Sequence, residues 1–191
     1  MEGIICPKCG HKNIIESNET QSEIEGGKAD NSEITQKTYL YYCNKCKKHF
    51  GLTFHYKIYD VNKIIYTCYD LLSATNEIFK FEIIDNYILF SNKLYVIDSE
   101  QIINEYKLSN QEWNEILDNL FSAYFLDWED EYIDTEIDDG GGWKLEVSFN
   151  NNESIIKKGF MQYPPYWLQF SNILLKYGYN NDADKYFIFG E

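Results

Sequence analysis

Two short apolar runs frame the N-terminal region: Ile4-Ile5 ahead of Cys6, and Tyr39-Leu40-Tyr41-Tyr42 ahead of Cys43. Tyr39 and Tyr41, then Leu52 and Phe54, alternate around the second pair of cysteines and predict short strands of a small sheet. Residues 16–36 between them are nearly free of large apolar side chains, contain Gly26-Gly27, and carry six acids against one lysine. Such a segment buries too little surface to offset its ordering entropy, so a mobile loop is expected there. Residues 56–98 are rich in Ile, Tyr, Phe and Val, and the breaks at Asp85-Asn86 and Ser91-Asn92 read as turns between short strands. Phe79, Phe81 and Ile83 alternate along one of those strands.

Ser109 followed by Glu112 has the form of a capping box. The helix it opens runs to about Phe125, with Trp113, Ile116, Leu117, Leu120, Phe121 and Tyr124 on one face. After Gly140-Gly141-Gly142, the residues Trp143, Leu145, Val147 and Phe149 alternate with Lys144, Glu146 and Ser148 in a half-buried strand. Asn150 to Asn152 supply a hairpin turn to a returning strand at 155–160. Beyond Pro164-Pro165 a last helix is expected over 166–177, with Trp167, Phe170, Leu174 and Tyr177 inward and Gly178 as its stop. No internal repeat is present. The predicted fold is α+β: a small cysteine-bearing unit at 1–55 with a mobile insertion at about 16–36, then a body at 56–191 in which an antiparallel sheet carries two helices on one face.

At 191 residues, 44% hydrophobic and 17% aromatic, the chain has ample material for a core. Its longest apolar runs fall far short of the roughly 20 residues that span a membrane, and its N-terminus lacks a basic stretch followed by an apolar one. A soluble, cytoplasmic protein is expected. The net charge is −14, and it is unevenly placed: residues 1–55 hold seven lysines and seven acids, while residues 56–191 hold 10 lysines and 24 acids. A phosphate backbone is repelled by such a body. Arginine is absent, which removes the bidentate fork that reads guanine edges and clamps phosphates.

Four of the five cysteines form two Cys-x-x-Cys pairs, Cys6/Cys9 and Cys43/Cys46. Two cysteines three apart on a tight turn supply one edge of a tetrahedron, and two such turns close a site for a single structural Zn2+. Gly10 after Cys9 suits a knuckle that needs positive φ; Lys47 stands at the matching place after Cys46 and is less favourable. His11, His49 and His55 are redundant as ligands beside four cysteines, and Cys68 reads as a small buried hydrophobe. Ile4–His11 and residues 39–54 resemble zinc ribbons, which carry a Cys-Pro-x-Cys-Gly knuckle and a second Cys-x-x-Cys knuckle on a short sheet. That resemblance implies a structural metal, with nucleic-acid or protein contact as the usual work. The 33 residues between Cys9 and Cys43 exceed the common ribbon spacing. Residues 109–177, with Gly140-Gly141-Gly142-Trp143, Lys158-Gly159 and Tyr163-Pro164-Pro165-Tyr166-Trp167, resemble a pattern in small uncharacterised bacterial proteins, and the resemblance implies no activity.

No catalytic or cofactor-binding residue can be singled out. All three histidines lie at or before position 55, no phosphate-binding glycine loop is present, and the abundant acids show no spacing that marks a hydrolytic pair. Residues 127–139 hold eight acids in thirteen positions: Asp127, Glu129, Asp130, Glu131, Asp134, Glu136, Asp138 and Asp139. As a calcium loop the run fails, since its glycine falls one place late and its twelfth position is Leu145. It is a solvated loop or a docking surface for a basic protein. The expected function is therefore a non-enzymatic protein whose acidic body engages a basic protein partner, an immunity or inhibitor protein being one concrete version. The alternative is nucleic-acid contact through ribbon lysines Lys8, Lys12, Lys37, Lys45, Lys47 and Lys48, with Tyr41, Tyr42 and Phe50 to stack bases. A carboxylate-based hydrolase ranks below both.

Overall fold

A computed structural model describes residues 4–24, 34–53, 60–97, 99–137 and 139–180. The N-terminal part is a three-stranded antiparallel sheet of β1 (Ile14–Ile24), β2 (Ile34–Cys43) and β3 (His49–Thr53), in that order. β3 is the strand expected around Leu52; Phe54 and His55 lie outside the described residues. The insertion differs from the loop expected at 16–36. Its two flanks pair from Ile14 opposite Cys43 out to Ile24 opposite Ile34, with one shift between Glu16 and Glu19. Extended pairing satisfies backbone amides whatever the side chains are, and Thr20, Ile24, Ile34, Thr35 and Thr38 favour extended backbone. Residues 25–33 lie outside the described set.

The body is α+β, as the pattern predicts. Its strands are β4 (Val61–Asp70), β5 (Thr75–Ile84), β6 (Tyr87–Val96), β7 (Ser99–Leu108), β8 (Glu131–Ile133), β9 (Gly141–Phe149) and β10 (Ser154–Phe160). They form one sheet in the order β7-β6-β5-β4-β9-β10-β8. The sheet is mixed rather than purely antiparallel, because β8 runs parallel to β10. One expected turn fails here for a physical reason. Ser91 and Asn92 make no turn: they sit buried in mid-strand, opposite Lys80 and Phe79, and Asn92 donates to Glu77 Oε1 at 2.9 Å. The turn that does follow β4 is built by Asp70, whose carboxylate accepts from the Leu72 amide and the Ser73 hydroxyl. The Asp85-Asn86 turn stands as read, with Asp85 left-handed at φ 51°.

Helix α1 (Asn110–Ser122) opens on the predicted capping box: the Ser109 hydroxyl accepts from the Glu112 amide, and the Glu112 carboxylate accepts from the Ser109 amide. It ends short of Phe125 because Tyr124 turns left-handed, and a 3-10 turn follows at Phe125–Asp127. Helix α2 (Trp167–Leu174) is likewise shorter than expected and passes into a 3-10 turn that stops at Gly178, φ 98°. Both helices contribute to one core with the strand positions of a single sheet face, including Tyr66, Phe79, Phe90 and Leu145. Trp143 and Trp167 lie at its centre with rings 4.7 Å apart, so both are core residues.

Among the described residues no helix covers the other sheet face, and the strand registers place Lys63, Lys80, Lys93, Lys107, Lys144 and Lys158 on it. Four of these lysines meet glutamates: Lys80 with Glu82, Lys93 with Glu100, Lys144 with Glu146 and Lys158 with Glu131. Lys107 lies over the ring of Tyr87. Most of the body's positive charge is thus gathered, and largely matched, on the open face.

Candidate metal centre and its seat on the body

Each Cys-x-x-Cys pair sits on a turn with the same hydrogen-bond frame. Gly10 donates to the carbonyl of Cys6, and Lys47 to that of Cys43; Cys6 donates to His11, and Cys43 to Lys48. The fourth residue after the first cysteine is left-handed in both turns, Gly10 at φ 67° and Lys47 at φ 58°. This geometry turns the amides that follow each leading cysteine toward its sulfur: Lys8 and Cys9 donate to Cys6, and Lys45 and Cys46 to Cys43.

The four sulfur atoms converge, all within 4.8 Å of one another. Cys6 and Cys46 are 3.7 Å apart and Cys9 and Cys43 3.6 Å apart, and all four cysteines are free of disulfides. A tetrahedron with metal–sulfur bonds of about 2.3 Å has edges of about 3.8 Å, so the cluster fits one tetrahedral ion with no position left open. Burial pushes the Cys6 and Cys46 thiols up. Burial acts the same way on Cys43, but backbone amides and neighbouring thiols outweigh it and bring Cys43 down to about 7. Four thiols this close, two of them buried, are stable as thiolates only with a cation among them.

Neither of the described histidines takes part in the cluster, and His55 lies outside the described residues. His11 is exposed, and His49 packs between the rings of Tyr39 and Tyr42. Cys68 is partly buried against the body core, its thiol directed at the carbonyl of Glu77.

Both knuckles rest on the body. The Tyr166 hydroxyl accepts from the Ile5 amide at 2.6 Å and donates to the Ile5 carbonyl at 2.9 Å. The Tyr132 hydroxyl donates to the Pro7 carbonyl at 3.2 Å. Burial raises both phenols, so they remain protonated donors. On the second knuckle's side, Phe50 and Tyr41 meet the ring of Tyr124 edge-on. Asp127 Oδ2 accepts from the Gly51 amide at 2.9 Å. Tyr124 and Tyr166 are left-handed, a conformation that costs a non-glycine residue roughly 1–2 kcal/mol, and their rings touch each other as well as the ribbon. Sequence reading missed these seat contacts, which join residues 74 or more positions apart.

The acidic run is divided by this arrangement. Asp127, expected on a partner-binding surface, is 5% exposed and occupied by the ribbon backbone, so it leaves that surface. Asp130 is held by the buried Lys157, which also donates to the Trp128 carbonyl. The Lys157 ammonium, together with Lys8, keeps the Asp130 carboxyl below its usual range. Glu129, Glu131, Glu136 and Asp139 are exposed and Asp134 is partly so; Asp138 lies outside the described residues. Of the ribbon lysines, Lys12, Lys45, Lys47 and Lys48 are exposed, and Lys8 stands close enough to Asp130 to affect it. No helix among the described residues is long and apolar enough to cross a membrane. Compared with protein-family models, with curated proteins and with solved structures, the chain matches none, and the likeness noted for residues 109–177 gains no family from them.

Proposed function

We propose that the four-cysteine centre holds one structural zinc ion and that the protein is a non-enzymatic binding protein whose acidic body engages a basic protein partner, as an immunity or inhibitor protein does. The observation that carries this reading is the distribution of charge. The body's lysines are concentrated and matched on the open sheet face, while Glu129, Glu136 and Asp139 stand exposed in a run without a basic residue. Long-range attraction toward a basic surface follows from that imbalance. A tetrathiolate site with every position filled by protein sulfur supports a structural role for the metal, since a catalytic zinc keeps one position for water or substrate. Tagged protein incubated with host lysate at low salt should retain a basic protein that elutes as salt rises. A variant with Glu129, Glu131, Glu136 and Asp139 changed to amides should retain much less of it. Equal retention by the two proteins, or nothing above background, rejects the reading.

A second reading is favoured by the exposure of Lys12, Lys45, Lys47 and Lys48 on the ribbon: contact with single-stranded nucleic acid. Fluorescence anisotropy with a labelled oligonucleotide separates the two. Nucleic-acid contact through these lysines requires measurable binding that weakens steeply between about 50 and about 200 mM salt. No binding at the lower value removes it.

A further inference from the structure

The strand order brings three turns that are distant in sequence to one end of the large sheet. Asp70 ends β4 opposite Gly141, the first residue of β9, and the Leu71 amide donates to the Gly140 carbonyl. Thr75, which opens β5, pairs with Val96, which ends β6 and pairs in turn with Ser99 of β7. Ile133 of β8 pairs with Phe160 at the same end, so Asp134, which follows β8, and Asp139 and Gly140, which precede β9, lie there. The β4–β5 turn, the β6–β7 turn and the second half of the acidic run therefore lie along one end of the sheet, over about five strand spacings, or roughly 24 Å.

Large apolar side chains are exposed at this end: Leu71 is 55% exposed, Leu72 76%, Val96 37% and Ile97 80%. Leu72 and Ile97 are the most exposed of the large hydrophobic residues among those described. Ile97 is also left-handed, φ 54°, a conformation that a β-branched residue rarely adopts. Neither packing nor backbone preference accounts for an isoleucine there. At the same end of the sheet stand the carboxylates of Asp70, which ends β4, of Asp139, next to the Gly140 that accepts from the Leu71 amide, and, toward the β8 edge, of Asp134 and Glu136. The three turns contain no lysine, and Lys93, Lys144 and Lys158, which lie further along the strands, are already paired with glutamates.

We propose that this end of the sheet is the docking surface of the protein, and that it takes a basic protein partner presenting an apolar cleft bordered by lysine or arginine. Leu72 and Ile97 enter the cleft; Asp134, Glu136 and Asp139 face the basic border. Charge complementarity selects this occupant: a second copy of the chain would set the same unmatched carboxylates against themselves. The proposal rests on the acidic-body reading and narrows it to one surface.

The test uses the full chain and a defined probe, a short amphipathic peptide of lysine and leucine at helical spacing, with a lysine-only peptide of equal charge as control. Hydrogen exchange should show protection at residues 70–76, 95–97 and 134–141 with the lysine–leucine peptide. Leu72→Ser combined with Ile97→Asn should weaken that peptide by at least about tenfold while leaving its salt dependence. Asp134→Asn with Glu136→Gln and Asp139→Asn should weaken it and flatten the salt dependence. Equal binding of the two peptides, or protection confined to α1 or to the open sheet face, overturns this surface; in the second case the acidic-body reading survives. Failure to bind either peptide overturns both. Self-association in sedimentation equilibrium that the Leu72→Ser, Ile97→Asn variant abolishes overturns the choice of occupant. These variants alter turn side chains that are exposed or, at Asp134, partly exposed, and an unchanged thermal midpoint checks that the fold is intact.

Discussion

Gly10 and Lys47 show how one backbone requirement is met by two residues of different fitness. Both knuckles need a left-handed residue after the second cysteine, and only the first has glycine there. Lys47→Gly should therefore stabilise the ribbon, by about 0.5–1 kcal/mol once glycine's greater unfolded-state freedom is subtracted, readable as slower proteolysis of the N-terminal part. An unchanged or faster cleavage rate contradicts this account of the knuckle. The ligands themselves allow a sharper expectation. Cys6→Ser places a hard hydroxyl at a buried corner of the cluster, so, with the zinc proposed above, the metal content by elemental analysis should fall from one equivalent per chain toward none. Retention of one equivalent shows that Cys6 is not a ligand.

Among the elements, α1 and the β9–β10 hairpin carry their own tests. Ser109→Ala removes the hydroxyl that accepts from the Glu112 amide and should cost about 1 kcal/mol in urea unfolding. Glu112 sits below its ordinary value of 4.5, first because the Ser109 amide donates to it and then because the Ser109 hydroxyl does. Its folded-state value is depressed, so its contribution is present above the unfolded value and is lost as pH falls through the folded one. Glu112→Gln should flatten the pH dependence of stability in that acid window, and an unaltered profile removes the role. In the hairpin, Gly159 lies opposite Trp143, and a Cβ there would fall 2.3 Å from Trp143 Nε1 and 2.5 Å from the Gln162 carbonyl oxygen. Trp143 Nε1 donates to that carbonyl, so neither atom can yield without breaking the bond. Gly159→Ala should destabilise by about 1–3 kcal/mol, and a thermal midpoint equal to wild type contradicts the close approach. Gly159 and Trp143, brought opposite each other by the hairpin register, are thus linked by one packing constraint.

For the molecule as a whole, the four-cysteine unit meets the body through the seat contacts of Tyr124, Asp127, Tyr132 and Tyr166. Tyr166→Phe leaves both the amide and the carbonyl of Ile5 without their partner, which costs roughly 1–3 kcal/mol for partly buried groups. The loss should be seen as faster hydrogen exchange across residues 4–14 with little change in β5 and β6. Chelation should extend the same effect to 124–132, where Tyr124, Asp127 and Tyr132 face the ribbon, while the Trp143–Trp167 core keeps its protection. If chelation leaves 124–132 unchanged, the ribbon and the body are energetically independent.

What the sequence determined by itself is whatever short-range chemistry controls: the two cysteine knuckles, whose geometry is set within six residues; the capping box at Ser109; and the alternation from Trp143 to Phe149. It also marked Trp143 and Trp167 as core through their period. Local reading misplaced Ser91 and Asn92 because two polar residues in a row look like a turn unless the partners across the strand are known. It overlooked β7 because that strand lies at the sheet edge with Ser99 to Lys107 all exposed, and so has no alternation to detect. The insertion at 16–36 was read from its poverty in apolar residues, whereas its flanks are held by backbone pairing, which side-chain pattern does not report. Only the tertiary structure decided that Asp127 serves the ribbon, that six lysines share one face, and that Leu72, Ile97 and Asp139 meet at one end of the sheet. Each of those is a relation between residues far apart in the chain, fixed by strand order, and strand order is a property of how the whole core packs rather than of any one segment.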